Sequence, residues 1–437
     1  MAAKKYRPAK IGVAGLSHLG IVCSACWSSL GWHVVGVDGD AGTVSALTNG
    51  HPPIYEPGLA DLLKTSRARL EFTTEFSSLR DCDPVVIALD TETDEANQSM
   101  PGKLMQLADA VIPQLGPGVS VVVMSQVPVG FTRQLEHSIR ARRPDLSFRL
   151  YYWMESLIVG DAVARCLKPE RIVLGCDGDA GGIQGPLDQL LSAFSCPVLQ
   201  MSYESAELTK AAVNLYLSAS VSVANVLADL CEATGAQMAE IVPALRLDRR
   251  IGPHAYLRPG LGVAGGNLER DLVHLKKLGA VHGTDTGLID GLLAHNTQRY
   301  RWLQRQLERY VFPFHPAPRL AMWGLAYKKN TRSTKNSPAV RMLGDLQGKV
   351  ELRAYDPKAL LPGHLQPGVA QCGRLESVDG AHCLLVLNDS DEFRSTDFQD
   401  LAQRMAGRTI IDGAGVLDGT AARHHGFSYI SVGDSHG

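Results

Sequence analysis

The segment KIGVAGLSHLGIVCSACWSSLGWHVVGVD, residues 10–38, constrains this chain more than any other stretch. Residues 10–15 form an apolar run of strand length. A glycine turn follows, then helical periodicity over 18–31, then a second strand-like run at 33–38. Strand, tight turn, helix and strand within roughly thirty residues make a βαβ unit, whose two strands lie parallel in one sheet. Strand-like runs recur at 85–90 and 119–125 with helical patterns between them. The alternation implies a doubly wound parallel sheet.

The turn itself, GLSHLG, places Gly15 and Gly20 at the outer positions of G-x-G-x-x-G and Ser17 at the middle one. In a dinucleotide-binding fold the first glycine permits the tight turn. The second lets backbone approach a pyrophosphate, and the third lets helix and strand pack closely. Asp38 closes the second strand, where a carboxylate accepts ribose hydroxyls and favours NAD over NADP. His18 and Leu19 complete the loop. Gly15, Ser17, His18, Leu19, Gly20 and Asp38 are therefore the candidate cofactor contacts. Ser17 departs from the pattern: its side chain either crowds the phosphates or donates to them. The alternative is a Rossmann-like fold whose loop no longer admits a cofactor.

The pattern changes near Glu204. A long helical stretch runs to Gly235, which fits its C-terminal stop. Helical patterns continue to Tyr310, interrupted by the glycine-rich 259–266. FPFHPAP then breaks the helix, and RLAMWGLAYKKN starts a second strand-to-loop unit, followed by strand patterns at VELRAYD, AHCLLVLN and RTIIDG. The fold expected is α/β, two Rossmann-like doubly wound domains joined by a helical middle domain. The boundaries read as 1–203, 204–311 and 312–437.

The chain has 437 residues, 45% hydrophobic and 20% charged, with a net charge of −2, which fits a globular protein of two or three domains and gives no electrostatic footprint for nucleic acid. The longest uninterrupted apolar runs are strand-sized, so no membrane partner is expected, and the basic MAAKKYRPAK reads as a surface tail. Nine cysteines are scattered; the single CxxC, Cys23 and Cys26, sits in a helical pattern and reads as core, and no set has metal spacing. A reducing cytoplasm is the expected compartment.

Further motifs follow in order: HPPIYEPGLADLL at 51–63, SQVPVGFTR at 125–133, MESLIVGDAVARCLKPERIVLG from 154, AELTKAAVNLYLS from 206, RIGPHAYLRPGLGVAGGNLERD from 250, GLAYKKNTRSTKNSPA from 324, LNDSDEF and DGAGVLD. Together they resemble the UDP-glucose/GDP-mannose dehydrogenase family over nearly the whole chain. That family oxidises the C6 alcohol of a nucleotide sugar to a carboxylate with two NAD, through a cysteine thioester. The resemblance implies an NAD-binding N-terminal domain, a nucleotide-sugar-binding C-terminal domain and a homodimer made by the helical middle. It implies that Lys210 and Asn214 stabilise alkoxide charge and orient the reacting oxygen and a water, with Asp271 completing the cluster and Glu155 near the sugar. It also implies substrate contacts at Leu157, Arg250, Tyr256, Gly262 and Lys328, Arg250 reaching a neighbouring subunit.

Several positions depart from the family pattern. The register from Gly265 to Asp271 runs without a gap and puts Asn267 on the catalytic cysteine. An amide donates and accepts hydrogen bonds but does not attack a carbonyl. Gln126 stands where the family has a threonine that positions water, and Val159 replaces a second glutamate. Lys335 replaces an arginine associated with the cofactor, and Ala414 an arginine that reaches the substrate. The reading that follows is an NAD-dependent oxidoreductase on a UDP-hexose-like substrate, removing hydride without a thioester step. Asn267 then hydrogen-bonds the sugar, or else only the backbone of its own glycine segment. The alternatives are a redox-neutral epimerase with bound NAD and a non-catalytic nucleotide-sugar binder.

Overall fold

The computed structural model describes residues 9–94, 99–178 and 182–434; the basic tail, at residues 1–8, lies outside them. The chain divides into two compact units, Met1–Ala212 and Val213–Gly437.

The first unit is built on an eight-stranded sheet. Its strands are β1 (Lys10–Ala14), β2 (His33–Val37), β3 (Leu70–Thr73), β4 (Cys82–Ile87), β5 (Val119–Val123), β6 (Phe148–Trp153), β7 (Ile172–Gly175) and β8 (Val198–Met201), in the order β8-β7-β6-β5-β4-β1-β2-β3. All neighbours pair parallel except β6 with β7. The order reverses between β1 and β4, which opens a crevice at the C-terminal ends of those strands. Consecutive residues point to opposite faces. Val35, Val85, Val121 and Tyr152 join one buried cluster, while Val34, Val86, Val122 and Tyr151 join another. Both faces are covered, as a parallel sheet requires. Helix α1 (His18–Ser29) lies on the second face and is buried from Leu19 to Ser28. Cys23 and Cys26 are fully buried within it, as read from their helical surroundings.

The second unit opens with the larger part of helix α2 (Tyr203–Thr234), which Gly235 ends at φ +83°. A short helix (Met238–Leu247) follows, then no helix until α3 (Asn267–His282) and α4 (Gly287–Tyr310). The break is longer than the expected 259–266, because Gly252, Pro253 and Pro259 interrupt the ladder from Asp248 onward. Leu272, Ile289 and Leu292 pack these helices together against Leu215 and Ala219.

Helix α2 is long and apolar enough to cross a bilayer by length and composition alone, and 39% of its most apolar window is buried. Its amides are nevertheless engaged inside the second unit: Asn214 with Asp271 and Asn225 with Gly260. That is the use a core helix makes of polar side chains.

The second sheet comprises β9 (Arg319–Trp323), β10 (Glu351–Tyr355), β11 (Ala370–Gln371), β12 (Cys383–Val386), β13 (Thr409–Asp412) and β14 (Ser428–Ser431), all parallel, in the order β11-β10-β9-β12-β13-β14. Leu320, Leu352 and Leu385 face one cluster, and Ala321, Leu384 and Ile410 the other. The architecture is two Rossmann-like α/β domains with a helical central domain.

Candidate active site

In the first unit the glycine turn is as tight as its pattern demands. Gly15 holds φ +96°, and a Cβ on Gly20 would lie 1.8 Å from the Gly15 carbonyl oxygen, so no side chain fits where α1 meets β1. The Leu16 N–H donates to Asp38 Oδ2 at 2.7 Å and the Asp40 N–H to Asp38 Oδ1 at 2.9 Å. Asp38 remains half-exposed at the end of β2, with lone pairs to spare.

The second sheet repeats this turn with a different outcome. Gly324, at φ +98°, leads to Asp356 at the end of β10, but that carboxylate is 7% exposed and takes the N–H groups of Leu325, Ala326, Lys358 and Ala359 plus the Asn388 amide. It has nothing left for a ribose. Of the two turns, only that of the first unit fits a dinucleotide.

The Ser17 side chain does not cap α1: its Oγ accepts the Asp90 N–H at 2.8 Å. His18 Nε2 lies 2.7 Å from Glu56 Oε1, and the same carboxylate, its side chain fully buried, accepts the N–H groups of Gly160 (2.7 Å) and Ala162 (3.2 Å). Burial works against a charged His18, but the bond to Glu56 and the negative charges of Asp90, Glu56 and Glu155 outweigh it and raise its pKa. Burial likewise opposes charge on Glu56, yet His18 and the two N–H groups hold its pKa below the usual carboxylate range.

These directions set a pH window. The His18 contribution to stability is complete below its unfolded pKa near 6.5 and disappears as pH rises through the raised folded value. The Glu56 contribution is complete above its unfolded value and is lost as pH falls through the depressed one. Glu56→Gln is therefore expected to cost about 3 kcal/mol near pH 5.5 and distinctly less near pH 9. Thermal unfolding at the two pH values checks this; an equal cost at both contradicts it.

Glu155 and Lys210 form a second pair. Lys210 Nζ lies 2.8 Å from Glu155 Oε1 and donates to the Glu155 carbonyl at 3.1 Å, while Glu155 Oε2 accepts the Leu157 N–H at 2.8 Å. Both side chains are only 13% exposed. An ammonium has three donors; these two bonds leave one without a partner among the described residues. Gln126 is half-buried, its carbonyl accepting the Thr91 hydroxyl, and Val159 is half-buried also.

In the second unit, the Asn214 amide donates to Asp271 Oδ2 at 2.5 Å, and Arg270 Nε stands 3.4 Å from Asp271 Oδ1. All three residues are buried. The expected cluster is thus two pairs, Glu155–Lys210 and Asn214–Asp271. Lys210 and Asn214 stand on the one continuous helix α2 at i and i+4, so they share a face.

Asn267 is the first residue of α3 and is exposed. Its side chain bonds to no described residue, so it does not serve the backbone of its own glycine segment. That segment is held by others: Gly260 N–H by Asn225 (2.8 Å), Gly260 carbonyl by Arg299 (2.8 Å), Val263 N–H by Asn296 (2.7 Å). Gly262 holds φ +98° and has no room for a Cβ, which would sit 2.3 Å from Asn296 Oδ1. A Cβ on Gly266 would lie 3.3 Å from Lys335 Cδ and 3.7 Å from its Nζ, so Lys335 stands beside the start of α3. Asn336 donates to the Gly265 carbonyl at 2.9 Å and fixes that approach.

A cavity of about 190 Å³ opens within this unit, lined by Arg258, Gly260, Gly262, Tyr327, Asn388 and Ala414 among others. Arg258 donates to the carbonyls of Ala414 and Gly415. Lys328 Nζ lies 5.6 Å from the Tyr327 ring centroid. Tyr256 is 47% exposed. Arg250 reaches none of these groups: its side chain is 89% exposed and paired with Asp248.

Sequence reasoning missed Glu56, Asp90, Asn225, Asn296, Arg258 and Arg299. A signal existed for one of them. Asn214 and Asn225 are eleven residues apart in an apolar helix, three turns, so both amides face the same side.

The comparisons with known proteins agree along the chain. Residues 9–183 match the NAD binding domain, 204–298 the central domain and 321–419 the UDP binding domain of one family. The UDP-glucose 6-dehydrogenase of Rhizobium meliloti (strain 1021) is 30% identical over 97% of this chain and 99% of its own. A UDP-glucose dehydrogenase structure from Pyrobaculum islandicum superposes with a TM-score of 0.85 at 25% identity, covering 99% of each chain. A UDP-D-ManNAc dehydrogenase from Pyrococcus horikoshii shares the fold, with a TM-score of 0.85 at 22% identity over 98% of this chain and all of that one. The chain belongs to the UDP-glucose/GDP-mannose dehydrogenase family, whose members are NAD-dependent nucleotide-sugar dehydrogenases.

Proposed function

We propose that this enzyme removes hydride from a hydroxyl of a UDP-hexose-like substrate without forming a sulfur adduct at position 267. The observation that carries this reading is an exposed amide, Asn267, at the first turn of α3, four residues before the buried Asp271–Asn214 pair. NAD, when bound, accepts the hydride. Lys210 donates its remaining N–H to the sugar oxygen and stabilises its developing negative charge. Glu155 holds that ammonium in place and offers a carboxylate to a water that takes the proton. Asp271 fixes the Asn214 amide, which orients the reacting oxygen. Asn267 hydrogen-bonds the sugar.

The cysteines support the same reading. A reactive thiol needs a lowered pKa. Burial raises those of Cys82, Cys196, Cys231, Cys372 and Cys383; Cys26 is raised by its bond with Cys166 and by burial, and Cys166 by its bond with Cys23 and by burial. Cys23 is fully buried, and Cys176 Sγ faces the Met201 carbonyl at 3.6 Å. The test is turnover of the purified protein with NAD and a panel of UDP-, GDP- and dTDP-hexoses. NADH formation with a UDP-hexose is expected; no NADH with any of them contradicts the reading.

The working form is a homodimer through α2. Tyr216, Val223, Val226 and Leu230 are 77%, 57%, 45% and 54% exposed, and they repeat at spacings of seven, three and four. An exposed apolar stripe at these spacings fits the seam of a helix pair. Val223→Asp with Leu230→Asp is expected to yield monomers, read by light scattering behind size exclusion. A dimer that persists in the double variant counts against this interface.

A further inference from the structure

Helix α1 begins beneath a carboxylate. Asp90 follows β4 at the C-terminal edge of the first sheet, beside the point where strand order reverses. Its N–H is held by Ser17 Oγ at 2.8 Å, and its Oδ2 accepts the Leu19 N–H at 3.4 Å. Leu19 is the second residue of α1, so this N–H is one of the four with no partner inside the helix. No residue of α1 supplies an N-terminal cap and none in its first turn is acidic. Asp90 therefore provides the negative charge that a helix N-terminus favours. The same amides are those that a dinucleotide fold offers to a pyrophosphate.

We propose that Asp90 is an affinity-setting residue that occupies part of the pyrophosphate cradle and must yield it when NAD binds. Ser17, where the glycine fingerprint has its middle glycine, is the group that pins Asp90 there. Among the described residues, the charged groups of this unit near the turn include His18 on α1, bonded to Glu56 from the loop before residue 58; Asp90 itself after β4; Glu155 after β6, bonded to Lys210; and Asp38 after β2, bonded to the Leu16 and Asp40 N–H groups. His18 is the one basic side chain of the GLSHLG turn, and it is engaged by Glu56. A pyrophosphate entering beside Asp90 meets a like charge and displaces an existing hydrogen bond, and both effects lower affinity.

The test is calorimetric titration of NAD into the full-length protein, Asp90→Asn and Asp90→Ala, together with thermal unfolding of each without NAD. Both variants are expected to bind NAD about tenfold more tightly than wild type while melting at the same or a lower temperature. A residue with only a structural role lowers the melting temperature and leaves the dissociation constant unchanged. Asp90→Asn keeps the shape of the side chain, so the test survives if Asp90→Ala fails to fold. An unchanged or weaker NAD affinity overturns the proposal; weaker binding means that Asp90 instead accepts a cofactor hydroxyl. Wild-type titration is the separate arm that reports whether the loop holds NAD at all.

Discussion

Asn267→Cys is expected to raise the yield from the proposed one NADH per nucleotide sugar towards two, with a sugar acid as the new product. The position suits a thiol. It is exposed, so a substrate carbonyl has access to it. It is the first residue of a sixteen-residue helix, where the N-terminal dipole favours thiolate over thiol. Lys335, whose Nζ lies near Gly266, adds a positive charge beside it. A thiolate there would add to the aldehyde, the adduct would give its hydride to a second NAD to leave a thioester, and water would release the acid and restore the thiol, a route closed to the amide of Asn267. Acid formation at least tenfold above wild type is the outcome expected by mass spectrometry of the product. A folded variant that forms no more acid than wild type indicates that other departures from the family pattern, such as Gln126 and Val159, also stand against the second oxidation.

Lys210→Ala is expected to lower kcat by about 10²–10³, the usual consequence of removing one donor aimed at a developing oxyanion. In the proposed role the effect falls on kcat, because a donor to the sugar oxygen is used most strongly when that oxygen carries charge. Removing the ammonium also leaves Glu155 half-satisfied at 13% exposure, so some loss of stability accompanies it. NAD affinity is expected to stay near wild type. A loss smaller than about fivefold, measured with the protein saturated in both substrates, removes Lys210 from the chemistry.

The βαβ unit at 10–38 was legible because it is local: glycines, strands and helix follow within one window, and α1 and β1 lie close to where the periodicity places them. The long helix was legible for the same reason, down to Gly235. The strands β6, β7 and β8 carry no alternating pattern to announce them, β6 because its apolar residues run consecutively into a two-sided core, β8 because it is short and lies at the sheet edge. Pairings over long separations were not legible. Glu155 meets Lys210 across 55 residues and Asn214 meets Asp271 across 57, so a spacing argument brought Lys210 and Asn214 to one helix face without revealing which carboxylate each takes. Asp90 was invisible for a related reason: nothing local marks a residue 71 positions beyond Leu19 as the cap of its helix.

Counting NADH against nucleotide sugar consumed in the wild-type protein, with identification of the product, tests most directly whether hydride removal here proceeds without sulfur chemistry. One NADH per sugar and a product at the aldehyde level is the expected result. Two NADH per sugar, with a cysteine-linked sugar recovered from the quenched enzyme, would contradict it.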